Sequence, residues 1–169
     1  MELLDIYDNK GKKLDYSKSR EEAHRDGLWH KIACIFVVNS ENQIIMQKSI
    51  SKVSANDWKW NCSASGHIDA GEDTITGALR ELYEEIGVAA NKDELKHIGT
   101  VFEDYDYEDL KINHIAEIFM LRNDISISSL KFQEEEVSGA KYFSIKDIES
   151  MPFAEKHKEI FRILKQEVS

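Results

Sequence analysis

The sequence predicts an α/β sandwich with a mixed β-sheet, and three observations carry that prediction. Ile32–Val38 is a continuous apolar run of strand length. Between residues 72 and 87 the apolar residues recur at helical spacing. Strand-like segments flank that helix on both sides, and an amphipathic stretch closes the chain. With 169 residues, 41% hydrophobic and 32% charged, the chain can bury a core of ordinary size, read as one domain over 1–169. A single proline, Pro152, and this composition exclude a disordered chain.

The elements follow in order. Residues 2–7 (ELLDIY) read as a short strand, and Asp8-Asn9-Lys10-Gly11 turns it into Lys12–Tyr16, a hairpin extension over about 2–16. Ser19–His24 suits a helical turn within the polar segment 17–29. Ile32–Val38 is a buried strand, Asn39–Asn42 carries turn chemistry, and Gln43–Lys48 returns as a second strand. Ser49–Lys59 reads as a polar loop, and Asn61–Ser65 leads into a second loop, Gly66–Gly71. The central helix begins near Glu72 or Asp73, where acidic residues suit the first turn. Its apolar stripe is Ile75, Ala78, Leu79, Leu82 and Ile86, and Gly87 stands where a C-cap is expected. Leu95–Phe102 and Ile112–Leu121 read as strands, with Glu103–Asp109 as a loop or hairpin turn between them. Ala140–Phe143 is a short strand, Ser144-x-x-Asp147 a capping box, and Ala154–Glu167 a terminal helix.

Charge and cysteine content bound the function. A net charge of −10 argues against a large nucleic-acid footprint. The two cysteines, Cys34 and Cys62, lack metal-ligand spacing and suggest no disulfide framework, so a reducing cytoplasm fits. The N-terminus lacks a basic-then-apolar leader pattern, and no apolar run approaches the ~20 residues of a membrane span.

The chemistry concentrates in Gly66–Val88, GHIDAGEDTITGALRELYEEIGV. On a helix, Glu81, Glu84 and Glu85 share one face, where three carboxylates repel one another. A divalent cation removes that repulsion, and hard oxygen ligands select Mg²⁺ or Mn²⁺. Gly66, Glu72, Arg80-Glu81-Leu82, Glu84-Glu85 and Gly87-Val88 stand at the spacing glycine-x5-glutamate-x7-arginine-glutamate-aliphatic-x-glutamate-glutamate-x-glycine-aliphatic. This resembles the Nudix box at every defined position.

The resemblance implies a Nudix-type α/β/α sandwich and a metal-dependent hydrolase cleaving the pyrophosphate bond of a nucleoside diphosphate linked to another group. By position, Glu84 and Glu85 match the family's metal-binding pair. Glu81 matches the glutamate that completes the metal site or acts as base. Gly66 matches the glycine whose carbonyl binds metal, and Glu72 the glutamate that pairs with Arg80. Such enzymes often recruit a further glutamate from a later loop. Glu134, Glu135 and Glu136 precede the strand Ala140–Phe143, and Glu136 is the candidate by its distance to that strand.

A second resemblance qualifies the first. The arrangement His24…His30…Trp60-x4-Ser65-Gly66-His67 resembles isopentenyl-diphosphate isomerase, which uses histidines at three comparable places for a metal and a cysteine as acid/base. Here Ser65 holds the cysteine's position, and a serine hydroxyl does not match a tuned thiol in proton transfer. The intact box and Ser65 both favour hydrolysis in an isomerase-like branch. The alternatives are prenyl-diphosphate isomerisation and a non-catalytic nucleotide-sensing domain. His67 is read as substrate-binding, and His24 and His30 as structural or substrate-side, with a metal role as the lesser reading. Trp58, Trp60, Tyr105 and Tyr107 either stack on substrate or pack internally. The N-terminal hairpin either covers a sheet edge or pairs with a second subunit in a homodimer.

Overall fold

The computed structural model describes residues 2–50 and 60–168. The expected N-terminal hairpin forms from β1 (Leu3–Tyr7) and β2 (Lys13–Ser19). The Asp8 carboxylate accepts from the backbone N–H of Lys10 and Lys12 at 2.8 and 2.9 Å, closing the turn. β2 runs to Ser19 because Ser19 also caps α1 (Arg20–Arg25), in a reciprocal box with Glu22. The hairpin is a two-stranded sheet of its own, with a small core of Leu4, Ile6 and Ala23.

The main sheet has seven strands. β3 (His30–Val38) lies at its centre, beside β4 (Ile44–Ser49) and β6 (Ala64–His67), and the short β5 (Trp60–Asn61) lies beyond β4. After α2 (Thr74–Ile86) come the long pair β7 (Leu95–Tyr107) and β8 (Leu110–Arg122), then β9 (Val137–Phe143). β3 pairs with β8 in parallel, from His30↔His114 to Val38↔Arg122. The other ladders are antiparallel: β3 with β4 and β6, β4 with β5 and β9, and β7 with β8. The sheet is therefore mixed, as expected.

Alternation along β3 divides the core into two layers. Ala33, Ile35 and Val37 face α2, joining Ala78, Leu82 and Ile86. Cys34, Phe36 and Val38 face the opposite layer, where Phe153, Ile160, Phe161 and Leu164 pack. That layer is made by α3 (Ile145–Glu149), α4 (Pro152–Lys156) and α5 (Lys158–Val168). Helices on both faces complete the expected α/β/α sandwich.

Three local expectations are corrected. The segment Glu103–Asp109 closes a hairpin and is not a loop: β7 continues to Tyr107, and the turn is confined to Glu108-Asp109, with Glu108 at φ 52°. Its acidic and aromatic residues alternate with the strand period, as a half-exposed strand requires. Gly66 and His67 extend β6 instead of opening a loop, because Gly66 pairs with Ala33 and His67 with Ile32. The terminal helix breaks at His157, which has φ −107° and ψ 54°, and its first part starts at Pro152. Proline suits a first helical turn, where its missing N–H costs nothing. The loop Ser49–Lys59 falls mostly outside the described residues.

Candidate active site

α2 presents the acidic cluster because both of its ends are fixed. Asp73 caps the start, its carboxylate accepting from Thr76 N–H at 2.9 Å. Gly87 ends it with φ 72°, a left-handed conformation open to glycine without strain. Between these caps the apolar stripe buries against the sheet, so Arg80, Glu81, Glu84 and Glu85 line a cleft of about 640 Å³.

Arg80 organises that wall. Its Nε and Nη2 donate to the two Glu72 carboxylate oxygens at 2.9 and 3.0 Å, a bidentate fork. Nη1 donates to Glu81 at 2.8 Å and to Glu84 at 3.3 Å, and Nη2 also donates to the His67 carbonyl at 3.0 Å. One guanidinium therefore ties the turn before α2, the end of β6 and two helix carboxylates together.

Among the cleft acids Glu85 is buried and Glu81 half-buried. Glu85 accepts from Ser65 N–H at 2.6 Å and from Gln47 Nε2 at 3.1 Å. Burial pushes its carboxyl up to about 9, opposed by the Ser65 N–H and reinforced by the Cys62, Glu81 and Glu136 charges. Burial likewise raises Glu81 to about 7, opposed by Arg80 and reinforced by Glu84 and Glu136. A side chain at Gly66 would occupy the place of the Glu81 carboxylate, so glycine here leaves that carboxylate its position. Arg80 responds in the opposite sense: hydrogen bonding to Glu72 pushes its guanidinium above the ordinary range.

The structure brings most of the expected residues into this cleft. Gly66, His67, Arg80, Glu81, Glu84 and Glu85 line it from one side. Glu135 and Glu136 also line it, and Glu136 is the later-loop charge felt by both Glu81 and Glu85. Glu72 stands behind Arg80. Trp60 is not in the cleft: it packs edge-on against Phe143, with ring centroids 4.8 Å apart. Trp58 lies outside the described residues. Tyr105 is half-buried under the Lys156 ammonium, 4.3 Å from its ring centroid. Gln47 was not foreseen, since a glutamine on a strand carries no sequence mark of the helix carboxylate it meets.

His67 has a second environment. Its ring lies against those of His24, His30 and His114, with centroids 5.5, 5.1 and 5.8 Å away. Burial, then His30 and other neighbours, pushes its imidazole down to about 2. His114 was also missed, because only the β3–β8 register shows that it faces His30.

Comparisons with known proteins bear on this arrangement. The NUDIX domain model matches residues 28–164. The chain belongs to the Nudix family. It is 31% identical over 146 residues to Nudix hydrolase 3 of Arabidopsis thaliana, covering 83% of this chain but only 19% of that much longer protein. It is 32% identical over 150 residues to a Nudix hydrolase of Clostridium acetobutylicum, covering 87% of this chain and 72% of that one. It is also similar to the isopentenyl-diphosphate Delta-isomerase of Serratia proteamaculans, at 32% identity over 74 residues, 44% of this chain and 41% of the isomerase. Among solved structures, DR0079 from Deinococcus radiodurans shares the fold, with TM-score 0.70 and 16% identity over 98% of both chains. The chain is accordingly a Nudix-family chain with similarity to the isomerases. No helix among the described residues is long and apolar enough to cross a membrane.

Proposed function

We propose that this Nudix hydrolase cleaves the phosphoanhydride bond of a nucleoside diphosphate linked to another group, or of a related nucleotide, with Mg²⁺ or Mn²⁺. The observation that carries this reading is the carboxylate wall of the cleft, in which Glu85 is buried and Glu81 half-buried beside Glu84 and Glu136.

The donor set fits a hard divalent ion. Glu81, Glu84 and Glu85 offer carboxylate oxygens on one helix face, and Gly66 brings its backbone next to Glu81. Such an ion supplies charge neutralisation on phosphoryl oxygens and lowers the pKa of bound water. The protein supplies the rest. Arg80 holds Glu81 in place and remains a full positive charge beside the cleft. Glu85 is fixed by the Ser65 N–H and the Gln47 amide. In the reaction, water oxygen forms a bond to phosphorus while the bridging P–O bond breaks. The leaving phosphate keeps the electron pair, and the water proton passes to a carboxylate. Glu81 and Glu136 are the candidate bases, and Glu72 supports Arg80 from behind. His67, at the end of β6, is the substrate-side candidate in the cleft, with Trp58 as a candidate contact outside the described residues. The packing of Trp60 on Phe143 removes support for its direct stacking on substrate.

Isomerisation of a prenyl diphosphate is the second reading, favoured by the similarity to isomerases and opposed by Ser65 and the complete box. A panel of nucleoside triphosphates, nucleotide sugars, ADP-ribose, dinucleoside polyphosphates, coenzyme A and prenyl diphosphates separates the two. Hydrolysis of one nucleotide class, lowered about 100-fold or more by Glu84→Gln, is expected. Conversion of prenyl diphosphates alone, without phosphate release, would favour the isomerase.

A further inference from the structure

We infer, building on the carboxylate centre proposed above, that Gln47 is a positioning residue for it: a buried amide that holds Glu85 by one carboxylate oxygen and leaves the other for the divalent ion. Side chains alternate along β4, and Ile45 lies in the core layer that faces α2. Gln47, two residues further on, points to the same side and is 4% exposed. A buried amide costs stability unless its polar atoms are paired. Packing alone would therefore favour an aliphatic side chain at 47.

The amide has two partners. Gln47 Nε2 donates to the Ser63 carbonyl at 3.3 Å and to Glu85 Oε1 at 3.1 Å. The Ser63 carbonyl can only accept, so the NH₂ end faces it, and the second proton goes to Glu85. Glu85 Oε1 also accepts from Ser65 N–H at 2.6 Å. Two donors therefore fill Oε1, while Oε2 makes no hydrogen bond among the described residues. Donors reaching one oxygen from two residues fix where the carboxylate points, which a single bond would leave free to pivot. Ser65 contributes a backbone N–H, which nearly any residue would supply. Gln47 is the side chain by which the sequence sets this acid.

The amide is itself held. Gln47 pairs with Asn61 of β5 and with Ala140 of β9, so its backbone is locked between two strands. Ser63 is fully buried, and its hydroxyl accepts from Val37 N–H at 2.8 Å and donates to the Ile45 carbonyl. Hydrogen bonds thus run unbroken from the backbones of β3 and β4 through Ser63 and Gln47 to Glu85. Support of this kind places a ligand before the ion arrives. Glu85 belongs to α2, yet its carboxylate is aimed from the sheet, and Gln47 reaches it at the cleft wall.

The test is Mn²⁺ binding to the full chain, read by electron paramagnetic resonance. Gln47→Met keeps the length of the side chain and removes both donors, and Gln47→Leu serves if that variant does not fold. Either should weaken Mn²⁺ binding at least about 10-fold, with circular dichroism unchanged. In a Glu85→Gln background the same substitution should weaken it no further, an outcome that a merely structural role would not give. In turnover, the Mg²⁺ concentration for half-activation should rise by a similar factor, while the nucleotide KM at saturating Mg²⁺ holds. In the wild type, which needs no variant to fold, the Gln47 side-chain amide should exchange its protons far more slowly than that of exposed Gln166. Unchanged Mn²⁺ affinity in the Gln47 variant, an equal loss in the Glu85→Gln background, or fast exchange at Gln47 would each overturn the positioning role. Mn²⁺ binding that still depends on Glu84 would then leave the hydrolase reading standing. Absence of Mn²⁺ binding by the wild type would remove both.

Discussion

Gly66 lacks a side chain because the Glu81 carboxylate occupies the place where one would go. That carboxylate is the mobile end of a flexible side chain, so Gly66→Ala should displace Glu81 with little effect on the backbone. Thermal melting should then change little while turnover falls about 100-fold or more; a large loss of stability would show that the strand, not Glu81, gives way. The two cleft acids set a pH dependence. Glu81 and Glu85 rise from 4.5 to about 7 and about 9, so the folded chain holds protons that the unfolded chain releases. Stability of the metal-free protein should therefore fall as pH rises from about 4.5 through 9, with Mg²⁺ flattening the decline. Glu85→Gln keeps an acceptor for the Ser65 N–H and removes the cost of holding a proton on a buried carboxyl that the unfolded chain would release. At pH 8 in EDTA it should raise the melting temperature, by roughly 2–4 °C per kcal/mol relieved, while abolishing turnover. A lower melting temperature in calorimetry would contradict the buried-carboxyl account. The box residues were legible in the sequence because their spacing reports a single helix face, whereas Gln47 and His114 reach their partners only through sheet register.

The N-terminal hairpin ends on the loop before α2. Leu3 carbonyl accepts from Ala70 N–H at 2.8 Å, and the Asp5 carboxylate accepts from Gly71 N–H at 2.9 Å while pairing with Lys13 at 3.3 Å. β1 and β2 lie outside the matched domain, residues 28–164, yet they brace its box. Asp5→Ala should loosen that loop, weakening Mg²⁺ activation of turnover by about 10-fold, the low end for an outer-shell contact, with α2 intact by circular dichroism. The helix itself depends on its caps: Asp73→Ala should cost about 1 kcal/mol of stability, read by urea unfolding. At this scale α2 was read well, since its stripe and Gly87 both report the helix. β6 was read poorly. Ser65-Gly66-His67 has loop composition, and only pairing with the apolar β3 makes it a strand. The break at His157 is equally silent, because Ile160, Phe161 and Leu164 keep a helical period on one side of it.

Across the whole molecule, a net charge of −10 sets the problem that the cleft must solve, since a phosphorylated substrate is itself an anion. Arg20 and Arg80 line the same cleft as the carboxylates and supply local positive charge, and a divalent ion would supply more. The α/β/α layering was foreseeable because a buried central strand and an amphipathic helix must cover one another's apolar faces. The parallel β3–β8 pairing was not foreseeable, since residues 30 and 114 are joined only by tertiary structure. The most direct test of the central claim is turnover of the nucleotide panel in ¹⁸O-water with Mg²⁺, followed by mass spectrometry of the products. The account predicts ¹⁸O from water in a phosphoryl product of one nucleotide class, and loss of that product in EDTA and in Glu84→Gln. No labelled product from any nucleotide, or equal labelling by Glu84→Gln, would contradict it.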